Sequence, residues 1–276
     1  MRQGLRAARV ATSVEAVQRE ILRELAGLIP GMDLSRSPAA LSQAIYEATY
    51  AHTGIADPYA ELKREENRVA LAFEEELREM VRVSDDPLRT GLCIAASGNV
   101  VDLGILNVEE IDIREAVASA LREGFAVDHT EAFREALGRC EDLLYLLDNA
   151  GEIVFDKILI EELSRHTTVT AVVKKSPIIN DVCYEDARQV GLDAVCEVID
   201  NGGAFIGAPL EWVPEWFMER MKQADIILGK GQGNYETVDD FPGDVYLIFR
   251  SKCPVVAAHS GAPLGSVAMI STRLRG

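Results

Sequence analysis

Four short polar segments in the second half of the chain carry side chains able to hold a cation and an anion together. They are Asp148-Asn149-Ala150-Gly151-Glu152, Lys174-Lys175-Ser176 through Asn180-Asp181, Asp200-Asn201-Gly202-Gly203, and Lys230-Gly231-Gln232-Gly233-Asn234-Tyr235-Glu236. The oxygens of Asp148, Asn149 and Asp181 are hard donors, suited to a Mg²⁺-like ion that keeps water and a substrate phosphate among its ligands. The chain has 7 Lys against 21 Arg, yet Lys174, Lys175 and Lys230 all fall in these segments. An ammonium among glycine amides suits a phosphoryl group. Taken alone, Asp148 or Asn149 reads first as the cap of a following helix. The recurrence of such segments favours a ligand site.

The elements that must position these segments follow from the apolar periodicity. Leu143-Leu144-Tyr145-Leu146-Leu147 suits a strand buried on both faces. Similar runs recur at 169–173, 195–199, 225–229, 245–249 and 254–258, with helical patterns at 152–165, 182–190 and 214–223. That alternation predicts a mainly parallel sheet covered by helices, an α/β domain over residues 141–276. In such a sheet the polar segments after successive strands share one edge, where ligands bind. Residues 1–140 read as a mainly helical region. Thr12 and Glu15 have capping-box spacing, Ser37-Pro38 and Asp57-Pro58 open further helices, and Pro30-Gly31 and Gly54 close two of them. The helix after Pro58 is expected to run on past Leu77, with Glu65, Glu66 and Glu74–Glu76 as a solvated face. Ser97-Gly98-Asn99 breaks the pattern as a turn.

Composition narrows the function. The net charge is −17, from 28 basic and 45 acidic residues. Phosphate-backbone contacts need clustered Lys and Arg, so nucleic acid is not an expected partner. No apolar run approaches the ~18 residues of a membrane span, and no leader is evident after the three Arg of residues 1–10. Five cysteines without close pairing fit reduced thiols and a cytoplasmic setting. The segment Gly229-Lys230-Gly231-Gln232-Gly233-Asn234 lacks the third glycine of a dinucleotide fingerprint and follows the wrong strand. Trp212 and Trp216, four apart, read as core packing, and His259 as a surface or packing residue.

Asp148-Asn149-Ala150-Gly151-Glu152, Asn180-Asp181-Val182 and Lys230-Gly231-Gln232-Gly233-Asn234-Tyr235-Glu236-Thr237 together resemble the metal-dependent damage-control phosphatases of microbial type, catalogued as domain of unknown function 89. Ser97-Gly98-Asn99 through Asp102 resembles that family's Gly-Asn-x-x-Asp segment. The likeness runs in order from about residue 5 to 272. It implies a three-layer α/β/α domain preceded by an all-helical region. It implies a divalent metal (Mg, Mn, Co or Ni) at Asp148, Asn149 and Asp181, and phosphatase activity on small phosphorylated metabolites such as sugar phosphates or damaged cofactor intermediates. Microbial members often carry an N-terminal Cys-x-x-Cys pair; this sequence begins at Met1-Arg2-Gln3, about where the residues after that pair would fall, so either the pair is lacking or the start is displaced, and no role is assigned to it.

The expected catalytic residues are Asp148, Lys230, Asp102 and Glu152. Substrate contacts are expected from Asn99, Lys174, Lys230, Gly231 and Asn234. Water attack, oriented by Asp102, Glu152 or Asp156, is favoured over an aspartyl-phosphate route through Asp148. The rival function is a non-catalytic sugar-phosphate-binding or sensor protein. Homo-oligomerisation is left open.

Overall fold

A computed structural model describes residues 2–33, 36–98 and 113–274. The expected site residues Asn99 and Asp102 lie outside the described residues. The first helices are α1 (Arg2–Ala11), α2 (Glu15–Leu28) and α3 (Pro38–Thr53), followed by α4 (Ala60–Leu71), α5 (Glu74–Arg82) and α6 (Pro87–Ser97). After them come α7 (Ile113–Glu123), α8 (Thr130–Leu137), β1 (Asp142–Leu146), α9 (Glu152–Leu163), β2 (Thr168–Val173), α10 (Tyr184–Gln189) and β3 (Glu197–Asp200). The chain closes with α11 (Glu215–Gln223), β4 (Ile226–Lys230), α12 (Gly231–Val238), β5 (Val245–Arg250), α13 (Pro254–Ser260) and β6 (Val267–Ser271).

The strands form one sheet in the order β3-β2-β1-β4-β5-β6, parallel except for the β5–β6 pair. Alternation along β1 builds two cores. Leu143, Tyr145 and Leu147 face a layer containing α4 to α10, whereas Leu144 and Leu146 face α11, α12 and α13. The result is the expected three-layer α/β/α arrangement. The chain moves outward through β2 and β3, then returns to place β4 on the other side of β1. That reversal opens a crevice at the carboxyl ends of β1 and β4.

Local chemistry sets several boundaries. Ser37 Oγ accepts the Ala40 N–H at 3.3 Å and Pro38 opens α3, while Gly54 closes it at φ 66°. Asp86 caps α6, accepting the Arg89 N–H at 3.0 Å. From Leu88 to Ser97 every residue of α6 except Arg89 is buried, which explains its weak amphipathicity. Helix α6 packs on α9, so residues of the helical region and of the sheet share one apolar cluster.

Four expectations change. The run 254–258 is a helix: Pro254 stands at its start, Gly261 at φ 72° stops it, and the antiparallel edge strand is Val267–Ser271. The helix after Pro58 breaks around Ala72-Phe73, giving α4 and α5. The capping box at Thr12 is absent, because Thr12 Oγ1 accepts the Val14 N–H at 3.2 Å and α2 starts only at Glu15. Trp216 is 51% exposed and Trp212 is half-buried under the Arg36 guanidinium, so Phe217 supplies the core contact instead. Among the described residues no helix is long and apolar enough to cross a membrane.

Leu92, in the middle of α6, is fully buried. Leu92→Ala should cost about 2–5 kcal/mol. Because its cluster joins helical region and sheet, urea should unfold the variant in one transition at lower concentration. Separate melting of the helical region would contradict that coupling.

Candidate metal and phosphate centre

The site grows from the turn after β1. Asp148 and Asn149 leave the sheet at the crevice, and Gly151, at φ 74°, turns the chain into α9. A second turn, Ile178 to Asp181, folds back against it. Asn149 and Asp181 pair in a single antiparallel bridge. Ala150 N–H donates to Asn180 O at 2.8 Å, and Val182 N–H to Asp148 O at 2.9 Å. The three expected metal ligands are therefore brought together by backbone bonds between two loops that lie 32 positions apart in sequence, as the register Asn149–Asp181 shows.

Asn149 Nδ2 donates to Asp148 Oδ2 and to Glu152 Oε1, each at 2.9 Å. Its N–H groups are thus spent on carboxylates, which leaves the amide oxygen as the group able to ligate. The third loop adds Gly231, at φ 81°, where a Cβ would overlap Asp148 Oδ2. Only glycine lets α12 begin this close to the Asp148 carboxylate. Above these groups opens a cleft of about 880 Å³, with Asp148, Asn149, Glu152 and Asp181 in its floor.

The lysines sit lower than the sequence suggests. Lys230 is fully buried, with Nζ 2.7 Å from Asp156 Oδ1 and 3.7 Å from Glu152 Oε2. Asp156 Oδ1 also accepts the Tyr145 hydroxyl at 2.9 Å, and Asp156 Oδ2 has no hydrogen-bond partner among the described residues. Lys174 Nζ lies 3.4 Å from Asp181 Oδ2 and donates to Gly207 O at 2.7 Å. Neither lysine lines the cleft. Asn234 is likewise internal, donating to the carbonyls of Leu146, Leu147 and Lys230. Lys174, Lys230, Gly231 and Asn234 therefore build the floor from beneath and are not its wall. A residue at the end of a strand can point into a helix layer as easily as into the crevice, and Lys174 and Lys230 point inward.

The wall comes from residues that the sequence reading did not name as site residues. Arg6 from α1, Tyr46 from α3, Tyr59 before α4, Glu66 from α4, and Gln232 and Lys252 from the crevice side all line the cleft. Glu66 is buried, a correction to the solvated face. Arg6 and Lys252 are exposed and, among the described residues, make no ion pair shorter than 4 Å. No short-range signal marks them, because α1 and the Lys252 turn reach the site only through packing. His259 lies outside, its ring bonded to the Tyr235 hydroxyl at 2.9 Å.

A chain with these motifs at one edge of one sheet can be matched to known proteins. A family model described as the damage-control phosphatase ARMT1-like domain matches residues 1–267. The chain belongs to that family. A damage-control phosphatase of Archaeoglobus fulgidus is 34% identical over 83% of this chain and 81% of its own. One of Pyrococcus horikoshii is 30% identical over 86% and 83%. The crystal structure of a DUF89 family protein from Pyrococcus horikoshii superposes with a TM-score of 0.90 at 30% identity, covering 98% of this chain and 95% of that one.

The electrostatics of this family member are dominated by crowding. Asp148, Glu152, Asp156 and Asp181 are all buried, with Lys174 and Lys230 as their buried cations. Burial pushes Asp181 up to about 8; the Lys174 charge opposes the rise and the Asp148 charge adds to it. Burial likewise carries Glu152 to about 7, although Lys230 pulls the other way. Burial also opposes the charge on Lys230, but Asp156 and Glu152 outweigh it and hold the ammonium protonated. No preformed cage of three His, Cys, Asp or Glu side chains occurs among the described residues. Two carboxylates and an amide oxygen, completed by water, still match the needs of a Mg²⁺-like ion. The excess of carboxylates over ammonium groups fits a divalent charge.

Two outcomes are expected. Unfolded carboxylates titrate near pH 4, so between there and about pH 8 Glu152 and Asp181 hold more protons in the folded, metal-free protein than in the unfolded chain. Stability then falls as pH rises across that window. Thermal unfolding in chelator should give a lower Tm at pH 8 than at pH 5.5, and added Mn²⁺ should narrow the gap, since ligation needs deprotonated carboxylates. A metal-free Tm that climbs with pH would contradict the crowding. Second, Lys230→Ala leaves Asp156 buried without its cation and should cost about 3–5 kcal/mol of stability. A loss below about 1 kcal/mol in urea titration, the scale of an exposed pair, would place Lys230 at the surface instead.

Proposed function

We propose that this protein is a phosphatase that hydrolyses the phosphomonoester of a small phosphorylated metabolite, a sugar phosphate or a damaged phospho-metabolite, with a divalent ion held by Asp148, Asn149 and Asp181. The observation that carries this is the backbone pairing of the Asp148-Asn149 turn with the Asp181 turn in the floor of a cleft at the sheet's switch point. Membership of the damage-control phosphatase family supports the reaction class. When bound, the ion would polarise a phosphoryl oxygen and offset its charge.

The chain's own residues supply the rest. The first N–H groups of α12, at Gly231, Gln232 and Gly233, belong to a helix N-terminus, where such groups lack intrahelical acceptors and favour an anion. Gln232 and Gly233 line the cleft, so they are placed to take phosphoryl oxygens. Arg6 and Lys252 at the wall give an anionic substrate a local positive charge in a protein of net charge −17. Glu152 also lines the cleft, and burial brings its carboxyl to about 7. It can take the proton of an attacking water near neutral pH. In this reading Asp148 is a metal ligand, and its Oδ2 already accepts from Asn149 and is hemmed in by Gly231, which leaves it little freedom to attack. That favours water over Asp148 as nucleophile. Lys230 fixes Glu152 and Asp156 from behind.

The test is phosphate release from a panel of sugar phosphates and phospho-cofactors with Mg²⁺, Mn²⁺, Co²⁺ or Ni²⁺. Turnover should depend on added metal. Asp148→Asn and Asp181→Asn should each lower kcat/KM by at least about 10²-fold, the scale of removing a key electrostatic group, while remaining folded. Tight binding of a sugar phosphate without turnover in any metal would instead identify a sensor.

A further inference from the structure

Helix α4 carries a residue bonded to the first turn of the proposed metal site and, through Asp186, to the segment that follows the second. Asn67 is fully buried, and its side chain is hydrogen-bonded on both sides. Its Oδ1 accepts the Gly151 N–H at 2.7 Å, which holds the turn that begins with Asp148 and Asn149. Its Nδ2 donates to Asp186 Oδ1 at 3.2 Å and to Gln189 Oε1 at 3.0 Å. Asp186 in turn accepts the Cys183 N–H through Oδ2 at 2.9 Å, two residues beyond Asp181. Lys63 Nζ, from the same helix, fixes that Oδ2 at 3.0 Å and also meets Asp57 at 3.0 Å. A chain of bonds thus runs from the first ligand turn through one amide to the second.

The neighbouring helix makes a parallel contact. Tyr50 on α3 accepts the Ile179 N–H through its hydroxyl at 2.9 Å. Ile179 has φ 44°, a left-handed conformation that a β-branched residue adopts only when its surroundings impose it. Two residues later the chain reaches Asp181. The helical layer therefore grips the backbone beside each ligand turn with a side chain that does not itself line the cleft.

We propose that Asn67 is a positioning residue that sets the spacing between the Asp148-Asn149 turn and the Asp181 turn, with Tyr50 holding the second turn in its strained form. The inference rests on the metal-site reading given above. It assigns the helical region a task in ion affinity beyond walling the cleft. Groups that orient metal ligands from behind typically change affinity or activity by about 10–100-fold when removed.

The experiment is calorimetric titration of the full chain with Mn²⁺ alone, in the parent, Asn67→Ala and Tyr50→Phe proteins, each checked for native circular dichroism. Steady-state kinetics with p-nitrophenyl phosphate at low and saturating Mn²⁺ accompany it. Folded Asn67→Ala should bind Mn²⁺ about tenfold or more weakly, and Tyr50→Phe several-fold. Saturating Mn²⁺ should restore most of kcat with KM for the ester little changed. A residue that merely held the fold together would lower Tm and leave the affinity of the folded protein at the parental value. Parental Mn²⁺ affinity in folded variants would overturn the proposal by itself. If Asn67→Ala does not fold, Tyr50→Phe, which loses one oxygen from a half-buried ring, decides on its own. A parent that binds no Mn²⁺ would overturn the metal-site reading and this proposal together.

Discussion

Asp148, Glu152, Asp156 and Asp181 are buried at one point of the sheet, and the ammonium groups of Lys174 and Lys230 are buried with them. Burying a carboxylate is unfavourable unless it is paired and hydrogen-bonded, and burying several together adds their mutual repulsion. Much of the surrounding structure answers that constraint. Lys230 lies beneath Asp156 and Glu152, Lys174 beside Asp181, and the Asn149 amide bridges Asp148 and Glu152. What remains after these contacts is raised proton affinity at Glu152 and Asp181. A protein selected for stability alone would have little reason to keep such an arrangement. A cation-binding site has one.

The fold makes this concentration of charge feasible. At the switch point between β1 and β4, successive chain segments diverge to opposite sides of the sheet, and the crevice between them is open to a ligand. Both faces of β1 are sealed by apolar clusters, so the strand is a rigid base for the turn that follows. Gly151 and Gly231 then supply the positive φ values that let two helices start beside the same carboxylate. The helical region closes the third side, through α1, α3 and α4. Its contribution is as much to the backbone of the ligand turns as to the cleft wall, through Asn67 and Tyr50.

The division of labour among the lysines follows from dielectric surroundings. A fully buried ammonium 2.7 Å from a carboxylate is a fixed internal charge, unavailable to a substrate entering from solvent. In the proposed phosphatase, substrate charge is met by groups that water can reach, for which Arg6, Lys252 and the helix-terminal amides of α12 are the candidates at the cleft. Buried cations shape the floor, and exposed ones line the wall above it.

The linear order of residues determined a good deal. Unbroken apolar runs ending in Asp-Asn or in Lys-Gly predicted parallel strands with polar carboxyl ends, because a strand buried on both faces reads as such a run. Asp148, Asn149 and Asp181 were legible as a cluster for the same reason: segments after parallel strands share an edge. Tertiary structure decided what short-range pattern does not encode. The run 254–258 has strand-like composition, yet Pro254 at its start and Gly261 at its end frame it as a helix. Lys230 follows a strand as a ligand would, but its side chain turns inward to Asp156, a choice set by a partner 74 positions away. Glu66 and Asn67 sit in a charged helical stretch that reads as a solvated face, and only the docking of α4 on α9 and α10 buries them. Hydrophobic periodicity reports which face of an element is apolar. It is silent about a polar side chain buried for its hydrogen bonds, because that burial depends on acceptors and donors brought from elsewhere in the chain.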